Sequence, residues 1–394
     1  MLRSSNPDQK YALRRSGSDR SRASIFFSAM DYWILVPVMI MVLIGLYVLN
    51  QVAADGVGTT LSYPSGFYRQ VGAVLLGLAL AIIICLMELP TLRLFGSIIY
   101  IVAVILLIYV KIDGYSLRSL TGADSWIRFP VIGSLQPSEL AKTGIAMVAG
   151  NILAEMKSGA RNYLDGGIRI ALVSGFPLLL IITEPDFGTS MTIVFMVAVM
   201  IFVWGIRWRY VLITAGAFVI ALPLIWNYVL SAVGQNRILT FLFPGHDKRA
   251  SYHISQSLSA VSSGGITGSA GQPVNVPVKE SDFIFSAVAE YMGLIGVVAL
   301  IALVAIFIIR TLFISFEAVR DDPAQGYIMT GLISVMAFHY IENMGMTVGM
   351  LPITGIPLPF VSHGGSAMVS NFISLGIILN ISMNQRMLAM QSGY

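Results

Sequence analysis

Charged side chains inside or at the ends of apolar segments are the residues of this sequence that need a reason, because such a group at the centre of a bilayer costs about 2.5 to 3.5 kcal/mol on insertion scales. Four clusters qualify. The first is GADSWIRFPVIGSLQPSELAK, from Gly122 to Lys142. Gln136, Pro137 and Ser138 read as a helix start, with Ser138 as N-cap and Glu139 in the first turn, where the helix dipole favours an acid. Glu139, Lys142 and Thr143 follow at i, i+3 and i+4 and share one face, which suits a substrate site or a local ion pair equally. Trp126 has the type of a membrane-interface anchor.

The second cluster is TEPDFGTS, Thr183 to Ser190, a tight turn in which Asp186 or Thr189 can cap the following helix. Glu184 and Asp186 at one corner could bind a cation or orient a sugar. The third spans a long loop: Gln235, Asn236 and Arg237, then Tyr252, Gln256 and Ser257, the glycine-rich run Ser262 to Gly271, and KESDFIFSAVAE from Lys279 to Glu290. Its glycines could bring backbone N–H groups to a phosphate or simply form turns. Asp282 stands where this loop returns to an apolar run, and Glu290 lies eight residues on. A carboxylate at a dehydrated boundary can serve as a general base, though Ser281 or Asp282 could equally cap the helix that follows. The fourth is His339 to Ser366, where Pro352, Pro357 and Pro359 forbid a regular helix. Irregular backbone of that kind must lie within protein or beside water. Glu342 and His363 are its candidates for chemistry, His363 reading first as an ordinary interfacial histidine. The four His, at 246, 253, 339 and 363, have no Cys partner and no zinc-site spacing.

The elements that must position these clusters are membrane helices. Of 394 residues 56% are hydrophobic and 11% charged, against about 25% charged in a soluble domain. Ten apolar segments can be counted, roughly 31–52, 71–89, 94–111, 138–156, 168–183, 189–205, 209–232, 284–310, 326–350 and 364–388. The expected fold is an all-α, polytopic integral membrane protein of about ten transmembrane helices, with a large extracytoplasmic loop, 233–283, between helices 7 and 8. Residues 1–30 read as a disordered basic cytoplasmic tail and 31–390 as one membrane domain. Allotting the 24 Lys and Arg to the two sides puts fifteen with the tail and nine opposite, so both termini are expected in the cytoplasm. That topology explains the net charge of +4 without nucleic acid. No Walker-type or dinucleotide glycine motif points to nucleotide use. All four clusters then face outward.

Taken together, these clusters resemble the SEDS family (shape, elongation, division and sporulation), the RodA and FtsW group. The resemblance rests on FYRQ at Phe67 to Gln70, on Trp126 followed by GSLQPSELAK, on EPDFGT at Glu184 to Thr189, on ESDFIFSAVAE at Glu280 to Glu290, and on GMLPITGIPLPFVSHGGS at Gly349 to Ser366. It covers nearly all of the chain after the tail. It implies an inverting glycosyltransferase of the bacterial cytoplasmic membrane that polymerises lipid II, an undecaprenyl pyrophosphate-linked disaccharide peptide, into glycan strands on the outer face. It also implies a class B penicillin-binding protein transpeptidase as partner. By position, Asp282 looks like the family's essential loop aspartate, the base for the acceptor hydroxyl. Arg69, Trp126, Glu139, Lys142 and Glu290 match substrate-binding positions. Arg69 and Lys142 would meet the departing pyrophosphate, and Glu139 would orient Lys142 or bind a divalent cation, Mg or Mn. No cofactor is otherwise implied. Ser125, His363 and Tyr291 depart from the family's usual residues. The VPVKESDFIF form of the loop looks closer to the RodA branch than to FtsW. Two rival classes are a lipid-linked precursor flippase, whose key groups should sit near the midplane, and a non-catalytic scaffold, which would not need Asp282.

Overall fold

The computed structural model describes residues 28–113, 125–129, 133–243, 245–269 and 271–392. All but the last three residues of the expected tail lie outside that set. Ten long helices occur among the described residues: α1 (Tyr32–Asp55), α2 (Ser65–Cys85), α3 (Leu89–Asp113), α4 (Pro137–Lys157), α5 (Tyr163–Ile182), α6 (Phe187–Trp204), α7 (Trp208–Leu224), α10 (Ile284–Asp321), α11 (Pro323–Thr347) and α12 (Gly365–Ser392). Two shorter ones, α8 (Ala232–Leu242) and α9 (Lys248–Ser263), lie in the expected large loop. A hairpin of β1 (Ile127–Phe129) and β2 (Gly133–Leu135) precedes α4, pairing Ile127 with Leu135. The protein is thus an all-α integral membrane protein with the expected helix count.

Eight of these helices are long and apolar enough to cross a membrane on composition alone. The other two, α4 and α11, carry Glu139, Lys142, His339, Glu342 and Asn343, all buried. They can afford polar side chains because protein surrounds them: α4 packs on α3, α5 and α11, while α11 packs on α4, α6 and α10. The last helix, α12, lies mostly inside the bundle and packs mainly on α2. At the opposite extreme α7 has no buried residue, and its chain continues as a π turn at Ile225–Val229.

Local signals end the helices where elementary rules place them. Asp31 caps α1 by accepting from Trp33 N–H at 3.1 Å, and Gly56 closes it in the left-handed conformation. Asp186 caps α6, accepting from the Thr189 N–H at 3.1 Å and its hydroxyl at 2.9 Å, as expected. Ser138 does not cap α4. That helix begins at Pro137, its fixed φ suited to a first turn, so the cap position falls on Gln136. Gln136 instead donates across to Asp186 Oδ2 at 3.0 Å, tying the first two clusters together.

On the side opposite the clusters, buried Asp31 accepts from Arg310 Nε and Nη2 at 3.0 and 2.8 Å. Arg386 Nε stands 3.6 Å from the same carboxylate, and Arg386 Nη1 donates to Met30 O at 2.6 Å. One acid therefore ties α1, α10 and α12 together.

Candidate active site

The loop that carries Asp282 is fastened at consecutive residues. His363 N–H donates to Glu280 O at 2.8 Å, Ser362 Oγ to Ser281 O at 2.7 Å, and Asn343 Nδ2 to Asp282 O at 2.9 Å. Glu280 itself accepts from Thr60 N–H and Oγ1, at 2.9 and 2.6 Å. Val278 and Phe360, on either side of this fastening, both hold positive φ, a conformation costing about 1 to 3 kcal/mol in a non-glycine residue and concentrated at functional sites. Helix α10 starts at Ile284 with Phe283 in the cap position and no side-chain cap bond. Capping therefore does not account for Asp282, whose carboxylate is left for other work.

The proline-broken strap after α11 organises the surroundings. Arg237, on α8, donates to Thr354 O at 2.8 Å. Gly355 takes φ +77°, and a Cβ there would sit 3.2 Å from Asp282 Oδ2. Asn343 donates to Ile356 O at 2.8 Å as well as to Asp282. Gly188, in the EPDFG turn, packs against Ile356 and Thr354 O. Four distant stretches of chain thus meet along Thr354–Ile356.

Charge follows the same geometry. Burial pulls the Arg237 guanidinium below its ordinary range, opposed by the charges of Asp282, Asp186 and Glu342. Burial likewise pushes the Asp282 carboxyl up, while its bond from Ser281 Oγ (2.9 Å) and the Arg237 charge pull it back and Glu280 adds to the rise. A half-buried carboxylate held ionisable by one cation is the arrangement a general base needs.

A second group is buried on α4 and α11. Lys142 Nζ lies 2.8 Å from Glu139 Oε1 and 3.1 Å from His339 Nε2. Thr143 Oγ1 meets Ser374 Oγ at 3.0 Å, and Ser370 Oγ donates to Glu139 O at 2.9 Å. A water-sized cavity of about 10 Å³ borders Glu139, Lys142, Thr143, Ser370 and Ser374. His339 and Asn343 are one helical turn apart on α11, so this group and the Asp282 group share one helix face.

The remaining expected residues separate. Arg69 is exposed on the first turns of α2, and its charge reaches His363, whose pKa burial lowers foremost. Trp126 is half-buried beside the hairpin. One oxygen of Glu290 accepts from Val274 N–H at 2.7 Å and the other pairs with buried Lys279. It anchors the loop rather than joining the Asp282 group. The glycine run meets backbone. Gly264 and Gly268 pack against the carbonyls of Ala289 and Tyr291, and Leu294 N–H donates to Gly265 O at 2.9 Å, so these glycines exist for close backbone approach at the Gly293 break in α10. Among the described residues no group of three or more His, Cys, Asp or Glu is arranged as a metal site.

Arg237, His339, Asn343 and Gly355 were not singled out as site residues by sequence reasoning. The proline pattern marked the strap but not which side chains it would gather.

Comparison with known proteins fits this arrangement. Residues 31–387 match the family model FTSW_RODA_SPOVE, described as cell cycle protein. The chain is 29% identical to the peptidoglycan glycosyltransferase MrdB of Escherichia coli K12, over 82% of this chain and 86% of that protein. It is 31% identical to a probable peptidoglycan glycosyltransferase FtsW of Geobacter metallireducens, over 84% and 89%. Among solved structures it superposes at a TM-score of 0.74, with 26% identity and 90% and 98% coverage, on a chain reported under "Structural coordination of polymerization and crosslinking by a peptidoglycan synthase complex". It superposes at 0.64, with 25% identity and the same coverage, on an aspartate-to-alanine mutant of the Thermus thermophilus rod shape determining protein RodA.

Proposed function

Because the chain belongs to the FtsW, RodA and SpoVE family of cell cycle proteins, we propose that it is a peptidoglycan glycosyltransferase that polymerises lipid II at the outer face of the bacterial cytoplasmic membrane. The observation that carries the reading is Asp282: half-buried, excused from helix capping, bonded through its carbonyl by Asn343 in a loop that Ser362 and His363 fasten at Ser281 and Glu280, and set in the field of Arg237.

Asp282 accepts the proton of the acceptor sugar's 4-hydroxyl as that oxygen attacks the donor's anomeric carbon. The bond from that carbon to the pyrophosphate oxygen breaks, and undecaprenyl pyrophosphate leaves with the electron pair. A single displacement inverts the anomeric centre, so no nucleophilic carboxylate is required. Developing charge on the leaving group is best met by preorganised cations, and Lys142 and Arg69 fill that role. Glu139 orients Lys142, and a divalent cation carried in on the pyrophosphate would meet the same carboxylate. Trp126, half-buried at the outer hairpin, offers an apolar wall to the substrate. Both termini lie in the cytoplasm, a reading supported by the distribution of Lys and Arg and by the even number of long helices. A class B penicillin-binding protein is the partner that would crosslink the product; the similarity to a chain of a peptidoglycan synthase complex supports this.

The test is polymerisation of labelled lipid II by the purified protein with its transpeptidase partner. Glycan polymer supports the reading. Absence of polymer, with scrambling of lipid II across liposomes, would replace it with a flippase.

A further inference from the structure

The Lys142 ammonium has three N–H donors and no acceptor. Glu139 takes one donor at 2.8 Å and His339 Nε2 takes a second at 3.1 Å, all three side chains being buried. An ammonium can only donate, so Nε2 is the acceptor and the ring proton sits on Nδ1, toward the backbone carbonyl of Pro357. Nε2 is left as a lone pair aimed at the ammonium, and the imidazole is neutral, since two N–H groups cannot point at one another. The cavity beside Glu139 and Lys142 is not lined by His339. With two donors taken by Glu139 and His339, the third is left for that water-sized cavity.

We propose that His339 is a positioning residue for the transferase, a neutral acceptor braced on Pro357 that, with Glu139, aims the Lys142 ammonium at the pyrophosphate of the lipid-linked donor. The inference rests on the reading of Lys142 as the cation that meets the leaving group. It also couples the two halves of the site. The strap that passes Asp282 at Gly355 is the one that holds His339 at Pro357, so base and cation are registered to each other through three residues of chain.

The experiment measures kcat and KM for lipid II polymerisation by the full-length protein with its partner, comparing wild type, His339→Leu, His339→Gln and Lys142→Met, alongside their thermal unfolding. A hydrogen bond to a charged group corresponds to about 10- to 150-fold, so His339→Leu should lower kcat at least about tenfold while KM stays within about twofold. Gln can present its Oε1 to Lys142, and His339→Gln should recover kcat to within about threefold of wild type, again on the strength of the charged bond. A role in packing alone would make Leu and Gln differ in unfolding temperature rather than in kcat. Leu as active as wild type, or Gln as impaired as Leu with both folded, overturns the proposal. Full activity in Lys142→Met would overturn the underlying reading of Lys142, a result distinguishable from failure at His339 alone. Should the Leu variant not fold, the wild-type protein labelled with 15N-histidine in nanodiscs decides: a proton on Nδ1 of His339 supports the proposal, and a proton on Nε2 refutes it.

Discussion

Removing the Asn343 amide should misplace Asp282 without touching substrate. Asn343 Nδ2 donates at 2.9 Å to Asp282 O and at 2.8 Å to Ile356 O, so one buried amide ties the base's own backbone to the strap that flanks its carboxylate. Asn343→Leu keeps the approximate volume and deletes both donors. Each buried carbonyl left unpaired costs about 1 to 3 kcal/mol. Asn343 Oδ1 has no hydrogen-bond partner among the described residues, so its replacement by an apolar group returns part of that cost. The net destabilisation should be about 2 kcal/mol, a measurable fall in unfolding temperature. Asn343→Asp should cost more, because it turns an acceptor toward two carbonyls. The kinetic effect should exceed the thermal one: a displacement of about 1 Å at a reacting group can cost about 100-fold. The assay is single-turnover polymerisation of labelled lipid II well below the unfolding temperature, with bound partner measured in parallel. Leu and Asp variants that polymerise at the wild-type rate would refute the clamp, whatever their stability.

Three further outcomes follow from the same geometry. Arg237→Met removes the cation beside Asp282 while Asp186, Glu342 and Glu280 remain, so the Asp282 carboxyl titrates at higher pH and stays protonated further up the scale. The acidic limb of the rate profile should therefore move to higher pH; an unmoved limb would sever Arg237 from the base. Gly355→Ala places a methyl 3.2 Å from Asp282 Oδ2 on a backbone at φ +77°, so about 1 to 2 kcal/mol of strain should accompany a much larger loss of polymerisation, and a loss of stability alone would contradict that. Asp31→Asn should lower the unfolding temperature through loss of the partner of Arg310 and Arg386, by about 1 to 3 kcal/mol given the partial exposure of both arginines, while kcat at low temperature is unchanged; a kcat effect would mean the clamp reaches the site.

Much of this molecule was legible in its residues, and the boundary between what was and was not is physical. Apolar run length located ten helices because bilayer thickness fixes that length, and Glu139 with Lys142 could be paired because helical spacing is local. The same locality misled at Ser138, where Pro137 moved the helix start, and it left unseen the partner of Glu290, Lys279, which lies across a loop that no periodicity describes. Asp282 was visible as an acid beside an apolar run, but its surroundings were not. Arg237, Asn343 and Gly355 stand 45, 61 and 73 residues from it in the sequence and meet it only because the Thr354–Pro357 strap folds back over the start of α10 and the end of α11. His339 was hidden for the same reason, its acceptor role arising from a lysine 197 residues away.

The central claim, that Asp282 is the base of a glycan polymerase, is tested most directly by one comparison. Wild-type protein and Asp282→Asn, each purified with the transpeptidase partner, are given labelled lipid II under identical conditions, and the products are resolved by length. The account predicts long glycan strands from wild type and none from Asp282→Asn, with folding and partner binding intact in both. Polymer of wild-type length and rate from Asp282→Asn would contradict it.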